Sequence, residues 1–404
     1  MPHPGVFPRS RSDGLIRQVL SVLSVLLIMA AAGTWYSLQQ DAGTGQGMYH
    51  SGTNSIRMRT LDPRTRKGLP LSRLAGINNP GQQDQDNKTM KVLITGAAGN
   101  LGSRLARHML SGDHHLVLMI HRTPLPSDLV DHGNVTVARA DLADRTSLAA
   151  ACAGVDCIVH FAGVLFEPGP EKFLPVTNVD YVQHLTSAAV SAGVRRFILV
   201  SFPHVEGIST PDAPAMGRVD GNPESAHART RLKAENVVRA ACQGSAMEDV
   251  VLRAGMIYAK GVLMIDAARW LARRRLLGVW TRPTWIHLLA LPDFNRAVVA
   301  AIENPTARGI YNLGDEGPMT LQDFLDQATA WWGLASPWRM PEWMIFGAAG
   351  ACEVFARLFG TKSPLTRDFI RIGMASYYGD TSRSRTDLIA ELEYPTLRTG
   401  INLL

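Results

Sequence analysis

Cysteine is scarce: the 404 residues contain four, Cys152, Cys157, Cys242 and Cys352. None forms a Cys-x-x-Cys pair or joins a Cys/His cluster. That excludes a disulfide framework and argues against a structural zinc site. All four are expected to be buried as small apolar residues. Charge is also sparse, at 19% of residues, and it is unevenly placed. Residues 1–89 hold ten Lys/Arg against five acids, while the remainder holds thirty-one against thirty. Five of the six net positive charges therefore belong to the leader, and a balanced body gives no support to nucleic-acid binding. With 46% hydrophobic residues, the chain is neither disordered throughout nor collagenous, and its length suits one large or two ordinary domains.

Residues 18–38 form a run without formal charge, just long enough to span a bilayer. Arg9, Arg11 and Arg17 precede it, which would hold the N-terminus in the cytosol. Ala30-Ala31-Ala32 also has the character of a small-residue cleavage site. The following fifty residues are rich in Gly, Gln, Asn, Ser and Thr. They read as a flexible stalk that packs against nothing. Met90, in turn, opens a segment with the look of a natural domain start. Three readings stay open: a membrane anchor, a cleaved targeting segment, and a dispensable extension. The first makes the protein membrane-associated, and a true start at Met90 makes it cytoplasmic.

Lys91-Val-Leu-Ile-Thr95 reads as a buried strand, followed at once by Gly96-Ala-Ala-Gly99-Asn100-Leu101-Gly102 and a helical pattern. Gly96 allows a tight turn, Gly99 a close approach of backbone to a pyrophosphate, and Gly102 close packing of helix on strand. The phosphates would sit on the open amides of the helix N-terminus. Placed between a strand and a helix, this is a dinucleotide signature.

The spacing G-x-x-G-x-x-G resembles the short-chain dehydrogenase/reductase superfamily. Residues 90–400 are similar to its extended branch, the NAD(P)-dependent epimerase/dehydratase type. The resemblance implies an α/β fold: a Rossmann-type doubly wound parallel sheet over residues 90–258, with a smaller mixed C-terminal substrate region over 259–404. It places Asp141-Leu142 beside adenine and His160-Phe-Ala162-Gly163 at a turn near the cofactor. Asn178-Val179 opens a helix ending at Gly193, and Ser201 ends the fifth strand. Arg253-Ala-Gly-Met-Ile-Tyr258 matches the sixth strand, with Ala254 where the family has proline. The cofactor-binding set is then Gly96, Gly99, Asn100, Leu101, Gly102, Arg122, Asp141, Leu142, Ala162, Gly163, Asn178 and Arg231.

An NAD site usually has an acid at the end of the second strand. Here Leu116–Ile120 ends in His121-Arg122, with no acid before Asp128. An arginine there can pair with a 2′-phosphate, which favours NADP over NAD. Stacked on adenine, the same arginine would suit either cofactor.

The family's chemistry uses Tyr-x-x-x-Lys on one helical face. Its motif aligns without gaps to His227-Ala-Arg-Thr-Arg231-Leu-Lys-Ala-Glu235, so histidine replaces tyrosine and arginine replaces lysine. No tyrosine lies between Tyr181 and Tyr258. The implied catalytic set is Ser201 orienting the substrate oxygen, His227 as acid/base and Arg231 holding the ribose. The leading function is NAD(P)-dependent oxidoreductase or epimerase chemistry on an alcohol or carbonyl, including an apolar or lipid-like one. The alternative is a non-catalytic dinucleotide-binding structural or assembly protein. Expected partners are a small-molecule substrate, no nucleic acid, a membrane through residues 18–38 and, as an open option, a second copy in a homodimer. No metal is expected.

In the C-terminal half, 262–275 and 292–303 read as helices and 309–314 as a short strand. Thr320 reads as a helix cap. Trp331, Trp332, Trp338 and Trp343 are expected in a core or interface, with a substrate lining as the other option. Residues 341–360 are apolar but carry Glu342, Glu353 and Arg357, which argues against a membrane span. A position in the bilayer interface or over an apolar pocket fits better.

Overall fold

The structure is a computed structural model that describes residues 89–161, 163, 169–359, 363 and 365–404. The apolar run at 18–38, the stalk and Ala162 lie outside the described residues. The body is built on seven strands: β1 (Lys91–Thr95), β2 (His115–Ile120), β3 (Val135–Arg139), β4 (Cys157–His160), β5 (Arg196–Ser201), β6 (Glu248–Ala254) and β7 (Gly309–Leu313). They form one parallel sheet in the order β7-β6-β5-β4-β1-β2-β3.

The sheet is covered on both faces because its central strands are apolar on both. Successive side chains alternate: Val92 and Ile94 enter one core and Leu93 the other. The first core takes Leu105 and Met109 of α1 (Asn100–Met109). The second takes Leu148 of α2 (Arg145–Cys152), Leu185 of α3 (Tyr181–Ser191) and Val238 of α4 (Ala226–Gln243). Beyond β6 come α5 (Leu263–Arg273) and α6 (Leu291–Glu303), and Phe294 and Val298 of α6 return to the first core. This is the doubly wound arrangement expected from the sequence.

Two expectations about its extent are corrected. The boundary at Tyr258 cuts through the sheet, because Gly309–Leu313 returns as the seventh strand, with Ile310 opposite Val251 and Asn312 opposite Arg253. Without it β6 would be an edge with unpaired backbone groups. Asn178 does not open a helix. It lies in a π-helical stretch, Pro175–Asp180, between a turn of helix at Pro170–Leu174 and α3.

The rest of the C-terminal region carries α7 (Leu321–Trp331), α8 (Glu342–Phe359) and α9 (Arg367–Met374). Thr320 caps α7 by accepting from the Asp323 amide at 3.1 Å, as its sequence implies. Three of the four tryptophans lie outside the core of the single chain, which bears on the core half of the expectation and not on the interface half. Trp331, Trp338 and Trp343 are exposed, whereas Trp332 is partly buried and donates to the Leu404 carbonyl at 3.2 Å. The four cysteines are free and buried, and burial pushes the Cys152 thiol up to about 11. Among the described residues, no helix is long and apolar enough to cross a membrane, and no group of three metal-ligating side chains occurs.

Candidate dinucleotide site and catalytic helix

The strand order reverses between β1 and β4, and ligands of such sheets bind beyond the carboxyl ends of the strands at that point. Thr95 and His160 are register partners there, and their side chains meet at 2.8 Å. Gly96 follows with φ 67°, a left-handed turn that a side chain would strain. Its carbonyl accepts from the Gly99 amide at 2.8 Å. A Cβ on Gly102 would collide with that same carbonyl, and one on Gly99 would lie 2.9 Å from it. Both glycines are thus required by the tight seating of α1 on the turn. Gly99 is the N-cap of α1 and makes no side-chain cap, so the first-turn amides remain open toward an anion.

Leu101 packs on the core and offers a ligand only its backbone. The Asn100 side chain is diverted: its Nδ2 donates to the Gly261 carbonyl at 2.8 Å, and its Oδ1 accepts from the Leu263 amide at 3.2 Å. It therefore ties α5 to α1, and the expectation of a cofactor contact through that side chain is corrected. Asp141 accepts from the Ala143 amide at 2.9 Å and lies 3.3 Å from His121. The Leu142 carbonyl lies 3.0 Å from His184 Nδ1. Arg122 is exposed, with no hydrogen bond or ion pair among the described residues.

Across the switch point, Gly163, Asn178 and Arg231 come together. A Cβ on Gly163 would sit 3.3 Å from Arg231 Nη2 and 4.0 Å from Asn178 Oδ1. Asn178 donates to Thr230 Oγ1 at 3.0 Å, which leaves its Oδ1 buried without a partner. Arg231 is partly buried, its enclosed Nε has no partner, and no ion pair reaches it among the described residues. Burial lowers its pKa, partly offset by the charge of Glu235, yet an arginine does not give up its proton. Burying a cation this way is costly unless something pairs with it. His160 is held neutral, its pKa pushed down to about 3 by burial and by Arg231.

His227 lies one turn before Arg231 on α4, whose start Ser225 caps by accepting from the Ala228 amide at 3.1 Å. Its Nδ1 is 2.5 Å from Asp368 Oδ2 on α9, and its Nε2 is buried without a partner. The role expected of Ser201 is corrected. Its hydroxyl is buried and donates to Glu235 Oε1 at 2.5 Å, so that proton is not directed to a substrate oxygen. Glu235 also receives Arg253 Nη2 at 2.6 Å, and Glu206 takes a second nitrogen of the same guanidinium. This buried network locks α4 onto β5 and β6, and losing one member would leave an uncompensated charge. Neither that network nor Asp368 was identified from the sequence. Thr366 signals the start of α9, where it accepts from the Phe369 amide, but no local pattern signals a partner 141 residues away.

An open helix N-terminus over a glycine turn, a partly buried cation without an ion pair among the described residues and a free amide oxygen make a donor set that fits a dinucleotide. Residues 92–314 match the NAD dependent epimerase/dehydratase family. The chain belongs to that family. Among curated relatives, uronate dehydrogenase of Pseudomonas syringae pv. tomato is 26% identical over 242 residues, covering 60% of this chain and 77% of that one. A 2-alkyl-3-oxoalkanoate reductase of Stenotrophomonas maltophilia is 28% identical over 255 residues, covering 60% and 75%. Among solved structures, UDP-glucuronic acid 4-epimerase from Bacillus cereus in complex with NAD superposes with TM-score 0.61 at 18% identity, covering 78% of this chain and 97% of that one. This epimerase/dehydratase chain departs from its family's catalytic pair at both positions, and it does so on a helix whose capping and burial are intact.

Proposed function

We propose that this chain is a dinucleotide-dependent oxidoreductase or epimerase acting on an alcohol or ketone, with His227 as the acid/base group. The observation that carries the reading is Arg231, a partly buried guanidinium beside Gly163 and Asn178 that no ion pair reaches among the described residues. Ribose hydroxyls and pyrophosphate oxygens are acceptors that would satisfy it. The glycine turn and the α1 amides would hold the phosphates, and Arg231 and Asn178 the ribose nearest the chemistry. Hydride exchange with carbon is the chemistry that a bound nicotinamide supplies. His227 Nε2 takes the hydroxyl proton of an alcohol as it is oxidised and returns one to a ketone as it is reduced.

The adenosine end favours NADP, because β2 ends without an acid and Arg122 is exposed and unpaired among the described residues. Saturating dinucleotide, at about a hundred times its Kd, should stabilise the fold by about 2.7 kcal/mol. Gly99→Asp should remove that shift, and Arg122→Ala should weaken NADP binding about tenfold while leaving NAD unchanged. Equal loss for both dinucleotides would count against the phosphate assignment. The non-catalytic alternative predicts the same shifts but no turnover, and His227→Gln would then alter no reaction.

The reading extends to location and substrate. α8 buries Ile345, Ala349, Cys352 and Ala356, yet its outer stripe is also apolar: Trp343, Val354, Phe355, Leu358 and Phe359 are exposed. The leader carries an apolar run of its own, joined through about fifty residues, and such a tether keeps a body within reach of a bilayer. A bilayer interface on α8 and an apolar, lipid-like alcohol or ketone follow from this, and the relative named for an alkyl oxoalkanoate gives the same direction. With residues 18–38 deleted, the protein should still float with phosphatidylcholine vesicles. Val354→Asp with Leu358→Asp should cut the bound fraction at least threefold. Absence of binding by the deletion variant, or equal binding by both, would refute the interface.

A further inference from the structure

The histidine that replaces the family's tyrosine is held by a carboxylate that the family's motif does not contain. Asp368 reaches α4 from the first turn of α9, and both of its oxygens are engaged there. Oδ1 accepts from the Ala226 amide at 3.0 Å, and Oδ2 lies 2.5 Å from His227 Nδ1. The two side chains are 7% and 8% exposed. Burial pushes the Asp368 carboxyl up, but the His227 hydrogen bond and the two backbone amides outweigh it and hold it below the ordinary carboxylate value. The N-terminal end of α9 adds a favourable dipole. An ionised carboxylate only accepts hydrogen bonds, so Nδ1 carries the hydrogen, and in neutral imidazole the lone pair is on Nε2.

We propose that Asp368 is the positioning residue of a His227–Asp368 dyad. It fixes the Nδ1–H tautomer and makes Nε2 the proton acceptor during oxidation of an alcohol. The inference rests on the oxidoreductase reading above. As the alcohol C–H leaves as hydride to an oxidised nicotinamide dinucleotide, the O–H proton passes to Nε2 and the C–O bond becomes a carbonyl. The resulting imidazolium is stabilised by Asp368, which is not itself protonated. This is the logic by which a buried carboxylate orients a catalytic histidine in other active sites. Tyrosine needs no such partner, since a phenol has one ionisable atom, whereas an imidazole has two and must be told which to use.

Several other charged or titratable groups sit on elements packed against α4. Arg231 occupies the next turn. His204 is held neutral with its pKa down to about 4, Glu206 is bound to Arg253, and Glu171 lies 3.7 Å from Arg229. On α9 itself, Arg367 is paired with Glu353, and Arg371 is exposed. Asp368 is therefore the acid that touches His227.

The test uses the full chain with 15N-labelled histidine, and His227→Gln assigns the resonance. Above its own titration midpoint, the free protein should show His227 with Nδ1 protonated and Nε2 bare. Asp368→Asn should lower its titration midpoint by at least one pH unit. An Nε2–H tautomer, or an unchanged midpoint in the variant, overturns the proposal. Asp368→Glu keeps the charge and should recover part of the shift, which guards against a mere folding defect. With a substrate in hand, Asp368→Asn should lower kcat at least a hundredfold and move the rising limb of its pH profile, while dinucleotide Kd stays constant. Equal kcat overturns the proposal. Failure of the oxidoreductase reading would appear as no turnover by the unsubstituted chain, and the spectrum of the free protein would still decide the dyad.

Discussion

Arg231→Met is expected to make the free protein more stable and its dinucleotide complex far weaker. The two signs come from one cause. In the free chain the guanidinium is partly buried: its Nε is enclosed without a partner, and no ion pair reaches it among the described residues. Methionine preserves much of the packing of the aliphatic stem and removes the cost of an uncompensated charge. A gain of about 1 kcal/mol or more, or about 2–4 °C in Tm, should follow. In the complex the same side chain would donate charge-assisted hydrogen bonds. Losing them costs about 1.5–3 kcal/mol, or roughly tenfold to a hundredfold in Kd. Thermal unfolding with and without dinucleotide measures both. A variant that melts lower yet binds as before would show that Arg231 is an ordinary structural arginine.

Acid is expected to unfold the body cooperatively near pH 4. Three histidines are buried neutral. His160 is pushed down to about 3 by burial and Arg231, His204 to about 4 by burial, and His287 to about 4 by burial and Arg385. Their folded pKa values lie below the unfolded value, so between pH 6.5 and about 4 the unfolded chain binds more protons than the folded one. Stability is then full above 6.5 and falls as the pH drops. Each group removes up to about 1.4 kcal/mol per pH unit, and because Asp315 offsets one of the three over this range, the net loss of about 2.8 kcal/mol per unit exhausts an ordinary stability by about pH 4.

Asp315 acts in the opposite sense. Burial raises its carboxyl to about 8, so its contribution is complete below about pH 4 and is lost as the pH rises to about 8. The maximum should therefore lie close to pH 6.5, and Asp315→Asn should flatten the alkaline side. Urea denaturation from pH 4.5 to 9 tests this, and a plateau from 5 to 8 would contradict it.

The dinucleotide half was legible because its determinants are contiguous. A run of aliphatic residues, three glycines at fixed spacing and an amphipathic helix specify a strand, a turn and an anion-binding helix end within about twenty residues. Glu235 and Arg253 each lie in a segment that resembles the family, but their pairing is not readable along the chain, since it joins a helix to the next strand of the sheet. The serine ending β5 was misassigned for the same reason: sequence places its Cα correctly but does not say which neighbour takes its proton. Tryptophan as a residue type argues for burial, but Trp331 and Trp343 on helices and Trp338 on a short strand stand outside the core of the chain.

By itself the sequence determined the doubly wound sheet, the glycine turn and the substitution of histidine and arginine for the family's catalytic pair, since local pattern and helical period suffice for those. Only the tertiary structure decided that β7 completes the sheet, that Ser201 is committed to a buried network and that Asp368 holds His227. Those outcomes depend on which distant residues the packing brings within about 3 Å, a distance that no spacing along the chain encodes.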